Sequence, residues 1–449
     1  MSAFSASQAG AAPSPYAKRH EADVVVIGAG PAGIAAATRA AESGRTVLLL
    51  DESPDVGGQI WRHRAGQPLP GVAHEWMGRL TRSGATVLRG ASVVDLAFDA
   101  ERRGYTVTAE GANGACLVHA HALVLATGAR ERFIPFPGWT LPGVIGVGAA
   151  QALHKTGVSF AGKRVVIAGS GPLLLPVAAM LRAGGARVLL VAEQASRRAV
   201  AGFARSLWRR PAVLLQAARY RAAFAGTSYV PGTWIVAARG GARVQEVDLT
   251  DGVTVRTIAC DVLCAAFGLV PNTEVARLAG CTVMRGSVVV DLRQETDCPG
   301  VFCAGETTGI GGMDLSIIEG EIAGLCSAGR DADARSLHAR RNRLRSSAEA
   351  MERAFAPRAE LRTLATPDTI VCRCEDVPCG AIDPTWTMRK AKLYTRAGMG
   401  PCQGRVCGAA LEFLHGWPAD TMRLPCEPAL YSTLIADAAT TAAAVTQGA

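Results

Sequence analysis

Two sets of residues in this sequence have the types and spacing to do chemistry. The first is four cysteines, Cys372 and Cys374, then Cys402 and Cys407, in the pattern Cys-x-Cys, 27 residues, Cys-x4-Cys. Two close pairs can converge as four thiolates around one metal centre, which suits a [2Fe–2S] cluster or a tetrahedral zinc. Gly398, Gly400, Gly404 and Gly408 flank the second pair. They let backbone N–H groups turn toward sulfur, the usual means of tuning a cluster's potential. The second set is Gly28-Ala29-Gly30-Pro31-Ala32-Gly33, entered directly from the apolar run Val24–Ile27. Gly28 permits a tight turn, Gly30 lets a pyrophosphate approach the backbone, and Gly33 lets a helix pack close to a strand. The free N–H groups and positive dipole end of that helix then face the phosphates. Thr46–Leu50 reads as the second strand and ends in Asp51-Glu52. By spacing Asp51 is the ribose ligand, with Glu52 the alternative.

A lone Gly-x-Gly-x-x-Gly also occurs as an ordinary glycine turn. The strand before it, the Ala-rich helix after it and the acid at the right distance make a dinucleotide site the better reading. Three further segments are Gly57-Gly58-Gln59, Ala126-Thr127-Gly128 and Thr296-Asp297-Cys298-Pro299-Gly300-Val301-Phe302-Cys303-Ala304-Gly305-Glu306. Together with the first turn they resemble the two-dinucleotide-binding-domain flavoproteins of the glutathione and thioredoxin reductase superfamily, over roughly residues 21–325. That resemblance implies FAD as the cofactor. It implies contacts at Gly58, Ala126, Thr127, Gly128 and Gly305, and places Glu306 beside the ribityl and phosphate part. Gln59 and Arg62 are expected to face the isoalloxazine. After Gly57-Gly58 runs Gln59-Ile60-Trp61-Arg62, and no Cys-x-x-Cys occurs in the central region. A disulfide reductase needs such a pair beside its flavin, so this chain is not expected to be one.

A second strand–turn–helix unit begins at Arg164 and reads Gly169-Ser170-Gly171-Pro172-Leu173-Leu174. Leu174 stands where the third glycine belongs and should push the helix away from the strand. Ordinary NAD(P)H use is therefore in doubt. The site holds either NAD(P), with Glu193 on the ribose, or a structural nucleotide, or serves only as scaffold. No convincing acid–base pair for substrate chemistry is present. His154, after Gly148-Ala149-Ala150-Gln151, reads as a structural histidine.

The elements that must position these residues imply an α/β architecture. An FAD-binding domain (21–150 and 270–330) is interrupted by an NAD(P)-like domain (151–269). An Arg-rich helix and linker follow (331–367), then a small α-rich [2Fe–2S] domain (368–425). Residues 1–20 read as a disordered leader and 426–449 as a tail. In the 331–356 helix, Leu337, Leu344, Met351 and Phe355 recur at helical spacing and should make core contact. Arg335, Arg340, Arg341, Arg343, Arg345, Arg353, Arg358 and Arg362 should form a solvated face.

Bulk properties narrow the classes. The chain has 449 residues, 50 of them Gly, 49% hydrophobic content and net charge +9. That length calls for two or three domains. No nucleic-acid recognition motif accompanies the charge, so none is expected as a partner. No secretory h-region or run of 18 uninterrupted apolar residues is present, so a cytoplasmic chain without a membrane span is expected. Peripheral attachment at the inner membrane through a complex is the alternative. Thirteen cysteines in such a compartment favour metal ligation over disulfides. Cys379 and Cys426 read as bystanders. Cys116, Cys260, Cys264, Cys281, Cys298, Cys303 and Cys326 read as small buried hydrophobes.

The cysteine module resembles the bacterioferritin-associated-ferredoxin-like [2Fe–2S] domain, with a shorter stretch between the pairs. That resemblance implies ligation by Cys372, Cys374, Cys402 and Cys407. The whole order, ending in Cys-Arg-Cys-Glu-Asp…Gly-Pro-Cys-Gln-Gly-Arg-x-Cys, resembles the FAD subunits of bacterial heteromeric amine and imino-acid dehydrogenases. That group takes in the FAD chains of opine oxidase, hydrogen cyanide synthase and D-hydroxyproline dehydrogenase. The resemblance implies an electron-transfer subunit partnered by a D-amino-acid-oxidase-like FAD subunit, with or without a small ferredoxin-like subunit. The competing expectations are a self-sufficient NAD(P)H-dependent flavin reductase and a cofactor-bearing assembly component.

Overall fold

The computed structural model describes residues 18–63, 69–112, 114–417 and 422–435. The first unit alternates strand and helix: β1 (Lys18–Ile27), α1 (Pro31–Glu42), β2 (Val47–Asp51), α2 (Gly71–Ser83) and β3 (Thr86–Arg89). An antiparallel meander follows in β4 (Ser92–Asp99), β5 (Gly104–Gly111) and β6 (Gly114–Leu125). The strand order is β3-β2-β1-β6-β5-β4, and β1, β2, β3 run parallel beside β6. Val24–Ile27 is buried on both faces, as the continuous apolar run of a central parallel strand requires.

The chain leaves this unit through β7 (Ala129–Glu131), β8 (Val144–Gly146) and α3 (Val147–Thr156). The second unit is β9 (Arg164–Gly169), α4 (Leu174–Ala183), β10 (Arg187–Glu193), α5 (Arg197–Ser206), α6 (Pro211–Ala223) and β11 (Ser228–Pro231). A three-stranded antiparallel sheet, β12 (Trp234–Arg239), β13 (Glu246–Thr250) and β14 (Val255–Ala259), is inserted before β15 (Val262–Ala266). The second parallel sheet runs β11-β10-β9-β15-β8. The chain returns through β16 (Leu269–Pro271), which pairs antiparallel with β7, so the two passages between units are laced together.

The first unit is then completed by α7 (Glu274–Leu278), the short hairpin β17 (Val283–Met284) and β18 (Ser287–Val288), and β19 (Val301–Cys303), which pairs parallel with β6. Helix α8 (Met313–Ser327) lies on α1 at unusually close range. A methyl group at Gly320 would stand 2.1 Å from the Ala32 carbonyl oxygen, and one at Gly324 2.3 Å from that of Ala36. Only glycine allows this approach, and it fixes the start of α1 against the sheet.

Helix α9 (Asp331–Ala354) carries the arginine run. Leu337 and Leu344 pack on the first core, as their spacing requires. The solvated-face expectation needs correction. Arg335, Arg340, Arg343 and Arg353 are exposed. Arg341 and Arg345 turn inward to Glu319, whose side chain is fully buried. Arg358 lies over the Trp234 ring and Arg362 over Phe413. A buried carboxylate needs paired charge, and the helix facing α8 is the nearest source.

The C-terminal module is β20 (Ile370–Cys372), β21 (Val377–Pro378), α10 (Met388–Thr395) and α11 (Cys407–His415), with its own small core around Val371, Ala391 and Leu411. Beyond it, α12 (Tyr431–Leu434) follows a segment docked on the first unit. The Cys426 N–H donates to the Val94 carbonyl at 3.0 Å, and the Leu430 N–H to Glu110. Strand β1 begins at Lys18, inside the expected leader, because Lys18–His20 pair with Cys116–Val118. Residues 1–17 and 436–449, most of the expected leader and tail, lie outside the described residues.

Candidate cofactor sites

Five separated segments converge on the turn between β1 and α1. Gly28 packs against the end of β6, where a methyl group would meet the Ala126 oxygen at 2.3 Å. Gly33 faces the Gly28 oxygen at 1.7 Å in the same sense, so glycine is required at both. Gly58 lies on the Gly30 Cα, and Gly305 on the Ala32 side chain. The Gly57 N–H donates to the Ala29 carbonyl at 2.7 Å. Thr127 donates to the Asn272 carbonyl, and Thr307 accepts from the Gly128 N–H at 3.1 Å. Gly28, Gly30, Pro31, Ala32, Gly33, Gly58, Ala126, Thr127, Gly128, Gly305 and Glu306 thus share one locale. Above Gly30 and Gly128 the space is open. Glu306 is half-buried, and burial alone pushes its carboxyl up. An open cradle at a helix N-terminus, with this acid at its rim, fits the diphosphate and ribityl parts of FAD.

Asp51 accepts from the Ala29 and Ser53 N–H groups and so braces the turn itself. Glu52 is exposed at the open end. Gln59 and Ile60 are exposed beside half-buried Arg62. The Ile60 carbonyl accepts from Lys155 of α3 at 2.8 Å. His154 packs against Gly184 at the end of α4.

Sequence reasoning missed Glu319. It accepts from the Gly305 N–H at 3.2 Å and the Thr308 hydroxyl at 3.0 Å, and holds the Gly305–Glu306 turn in place. Its pKa is raised by burial and pulled back by Arg345 and Arg341. An acid inside an apolar helix was the available signal.

The second unit differs where Leu174 replaces glycine. Helix α1 opens at Pro31, on the fourth residue of its motif, but α4 opens only at Leu174, on the sixth. Leu174 is fully buried in the second core and cannot sit on the Gly169 carbonyl as Gly33 sits on Gly28. Glu193 is fully buried, accepting from the Gly171 and Ala195 N–H groups, and burial pushes its pKa up to about 7. The next residue, Gln194, is also buried and spent on the chain itself. It donates to the Ala356 carbonyl at 2.9 Å and accepts from the Arg358 N–H at 3.0 Å. Ser170 donates to the Phe355 carbonyl at 2.7 Å. The segment after α9 therefore straps the turn and the acid-bearing strand end of this unit.

All four module cysteines line one cavity of about 480 Å³, whose other wall is Phe133, Trp139, Gly146 and Ala149. Cys402 lies beside the Cys374 thiol, and Cys407 beside the Cys372 thiol. Among the described residues, the group of three or more potential ligands with all donor atoms within 4.8 Å of one another is Cys281, Asp297 and Cys298. The module cysteines therefore form two pairs and not one tight tetrad. A tetrahedral zinc, with Zn–S about 2.3 Å, would draw all four sulfurs to about 3.8 Å of one another. A two-iron cluster takes two ligands per iron, which two thiol pairs can supply. Burial raises the Cys402 thiol, but N–H donors from Val406, Gly404 and Arg405, with the Cys374 thiol, outweigh it and hold the pKa low. Gly400 is required because a methyl group there would meet the Cys374 Cβ at 2.3 Å.

Cys281, Asp297 and Cys298 are satisfied internally. Both Asp297 oxygens accept from Thr282, and the thiols bond Thr296 and the Ala279 carbonyl.

A direct hydrogen-bonded run joins the two locales. Asn272 bonds Thr127 and accepts from Arg130 at 2.6 Å. Arg130 donates to the Arg405 carbonyl at 3.0 Å, and the Arg405 N–H to the Cys402 carbonyl at 3.0 Å. Glu131, raised by burial, accepts from the Gly148 and Ala149 N–H groups and holds the α3 end that walls the cavity. Trp139 donates to the Ile370 carbonyl at 2.6 Å.

Residues 22–328 match the pyridine nucleotide-disulphide oxidoreductase family. The A subunit of opine oxidase from Agrobacterium tumefaciens (strain Ach5) is 30% identical over 428 residues, covering 87% of this chain and 84% of its own. Hydrogen cyanide synthase subunit HcnB of Pseudomonas aeruginosa is 31% identical over 424 residues, 85% of this chain and 90% of its own. The crystal structure of L-proline dehydrogenase from P. horikoshii shares the fold with TM-score 0.67 at 22% identity, over 93% of this chain and 80% of that one.

Proposed function

The chain belongs to the pyridine nucleotide-disulphide oxidoreductase family of FAD-dependent oxidoreductases, and from that premise we propose that it is the electron-relay subunit of a heteromeric amine or imino-acid dehydrogenase. Its relatives are by name subunits of larger enzymes. The substrate is of the opine, D-hydroxyproline or glycine type, oxidised on a D-amino-acid-oxidase-like FAD partner. The complex forms with or without a small ferredoxin-like subunit. Gly28, Gly30, Ala32 and Gly33 hold the FAD diphosphate. Asp51 takes the ribose, with Glu52 the alternative, Glu306 faces the ribityl part, and Gln59 and Arg62 border the ring. Cys372, Cys374, Cys402 and Cys407 hold a [2Fe–2S] cluster. When bound, FAD supplies the exchange between two-electron and one-electron transfer that such a cluster needs.

The carrying observation is the arrangement of four cysteines as two thiol pairs on one cavity, tied by Asn272, Arg130 and Arg405 to the loop at Thr127. Against a self-sufficient NAD(P)H reductase stand Leu174 and the strap over Gln194. The test is co-purification from the native host, followed by anaerobic addition of candidate amines. Flavin bleaching that requires both the partner chain and an amine supports the relay. Bleaching of the isolated chain by NADH or NADPH contradicts it. Cofactors that stay oxidised with partner and amine present would favour an assembly role.

A further inference from the structure

Resting on the relay reading, we propose that the module face carrying α10 and Cys374 docks an acidic, one-electron carrier protein. The two thiol pairs differ in depth. Cys372 and Cys407 are each 1% exposed, whereas Cys374 is exposed and Cys402 half-buried. The shortest way out of the cavity for an electron therefore passes the Cys374 side.

The surface there has a distinct chemistry. Residues 384–400 contain Arg389, Lys390, Lys392 and Arg396, and no acid. Helix α10 buries only Ala391. It presents Leu393 (71% exposed) and Tyr394 (69%), with Met399 (48%) following. Tyr394 stacks on Trp386 at 5.1 Å, and the Lys390 ammonium sits 5.9 Å from each ring. This face adjoins the exposed thiol directly. Arg396 pairs with Glu375 at 2.7 Å, and Gly400, next to Met399, lies on the Cys374 Cβ.

Apolar side chains at the centre with cations around them form a transient docking surface. The charge steers the encounter, and a small apolar contact lets the partner leave after transfer. The nearby acids Glu375, Asp376 and Asp383 are outnumbered by Arg373, Arg389, Lys390, Lys392 and Arg396, which leaves the face net positive. Charge complementarity thus selects a negatively charged carrier.

The test uses cluster-loaded protein, with the reduced-cluster resonance recorded first. Binding of an acidic plant-type [2Fe–2S] ferredoxin is measured by titration calorimetry, with basic cytochrome c and anionic phosphatidylglycerol vesicles as comparisons. We expect ferredoxin affinity to fall about 10-fold between low and about 300 mM salt. Arg389→Glu with Lys390→Glu should lower it similarly while the resonance is unchanged, and Leu393→Ala should weaken binding without altering the salt dependence. Equal binding by the double variant, cytochrome c binding as tightly, or binding to vesicles alone would overturn the dock. A missing resonance would instead overturn the relay reading.

Discussion

Cys374 and Glu193 illustrate how single residues carry this account. Cys374 belongs to the outer thiol pair and packs under Gly400, where nothing larger fits. Cys374→Ser should lose the iron resonance and retain FAD, because the flavin turn is built from other segments; coincident loss of both would show one shared fold defect. Glu193 gives a pH signature. Its pKa rises from 4.5 to about 7 on folding because burial disfavours the charge. The folded chain then binds the proton more tightly than the unfolded chain between those values. The destabilising effect is absent below the lower value, grows through the window and is complete above the upper one, about 3 kcal/mol at most. The stability advantage of wild type over Glu193→Gln should therefore shrink as pH rises from about 5 to about 8. A gap that stays constant would refute the assignment. Arg345→Ala strips Glu319 of its nearest cation and leaves Arg341 at 3.7 Å. A loss of about 2–3 kcal/mol is expected in chemical unfolding.

At the scale of elements, the α1–α8 contact decides whether the phosphate turn is held. Gly324→Ala tests it against a simple alternative. Helix propensity alone would make the change stabilising by about 0.5–1 kcal/mol. The added methyl group would sit 2.3 Å from the Ala36 oxygen, and overpacking of that kind costs about 1–3 kcal/mol. We expect net destabilisation and weaker FAD retention, measured by thermal unfolding and by flavin content after gel filtration. A more stable, fully flavinated variant would contradict the packing. Elements of this kind were legible where the signal was local. The Gly28–Gly33 turn, the parallel strand Val24–Ile27 and the 331–356 helix could be read from spacing. Glu319 with Arg345, and Arg130 with Arg405, could not, because each joins residues from separate elements. The arginines looked like a solvent face because a helical stripe does not reveal a buried acid opposite.

At the scale of the molecule, the two dinucleotide-type units differ in their turns. Gly30 and its counterpart Gly171 both face open space, but the second unit has Leu174 at the third glycine position and is strapped by its own chain at Phe355–Arg358. The docked segment at Cys426 returns to the first unit and meets Arg405, which clamps the module from both sides. No helix among the described residues is long and apolar enough to cross a membrane. The Arg130–Arg405 and Arg405–Cys426 hydrogen bonds tie the module to the flavin unit. The most direct test is the cofactor content of protein prepared anaerobically under iron-replete conditions, read with the resonance of the reduced sample. We expect about one FAD, two irons and two acid-labile sulfides per chain, with one reducible paramagnetic centre. Flavin without iron, or zinc in the four-cysteine cavity, would contradict the account.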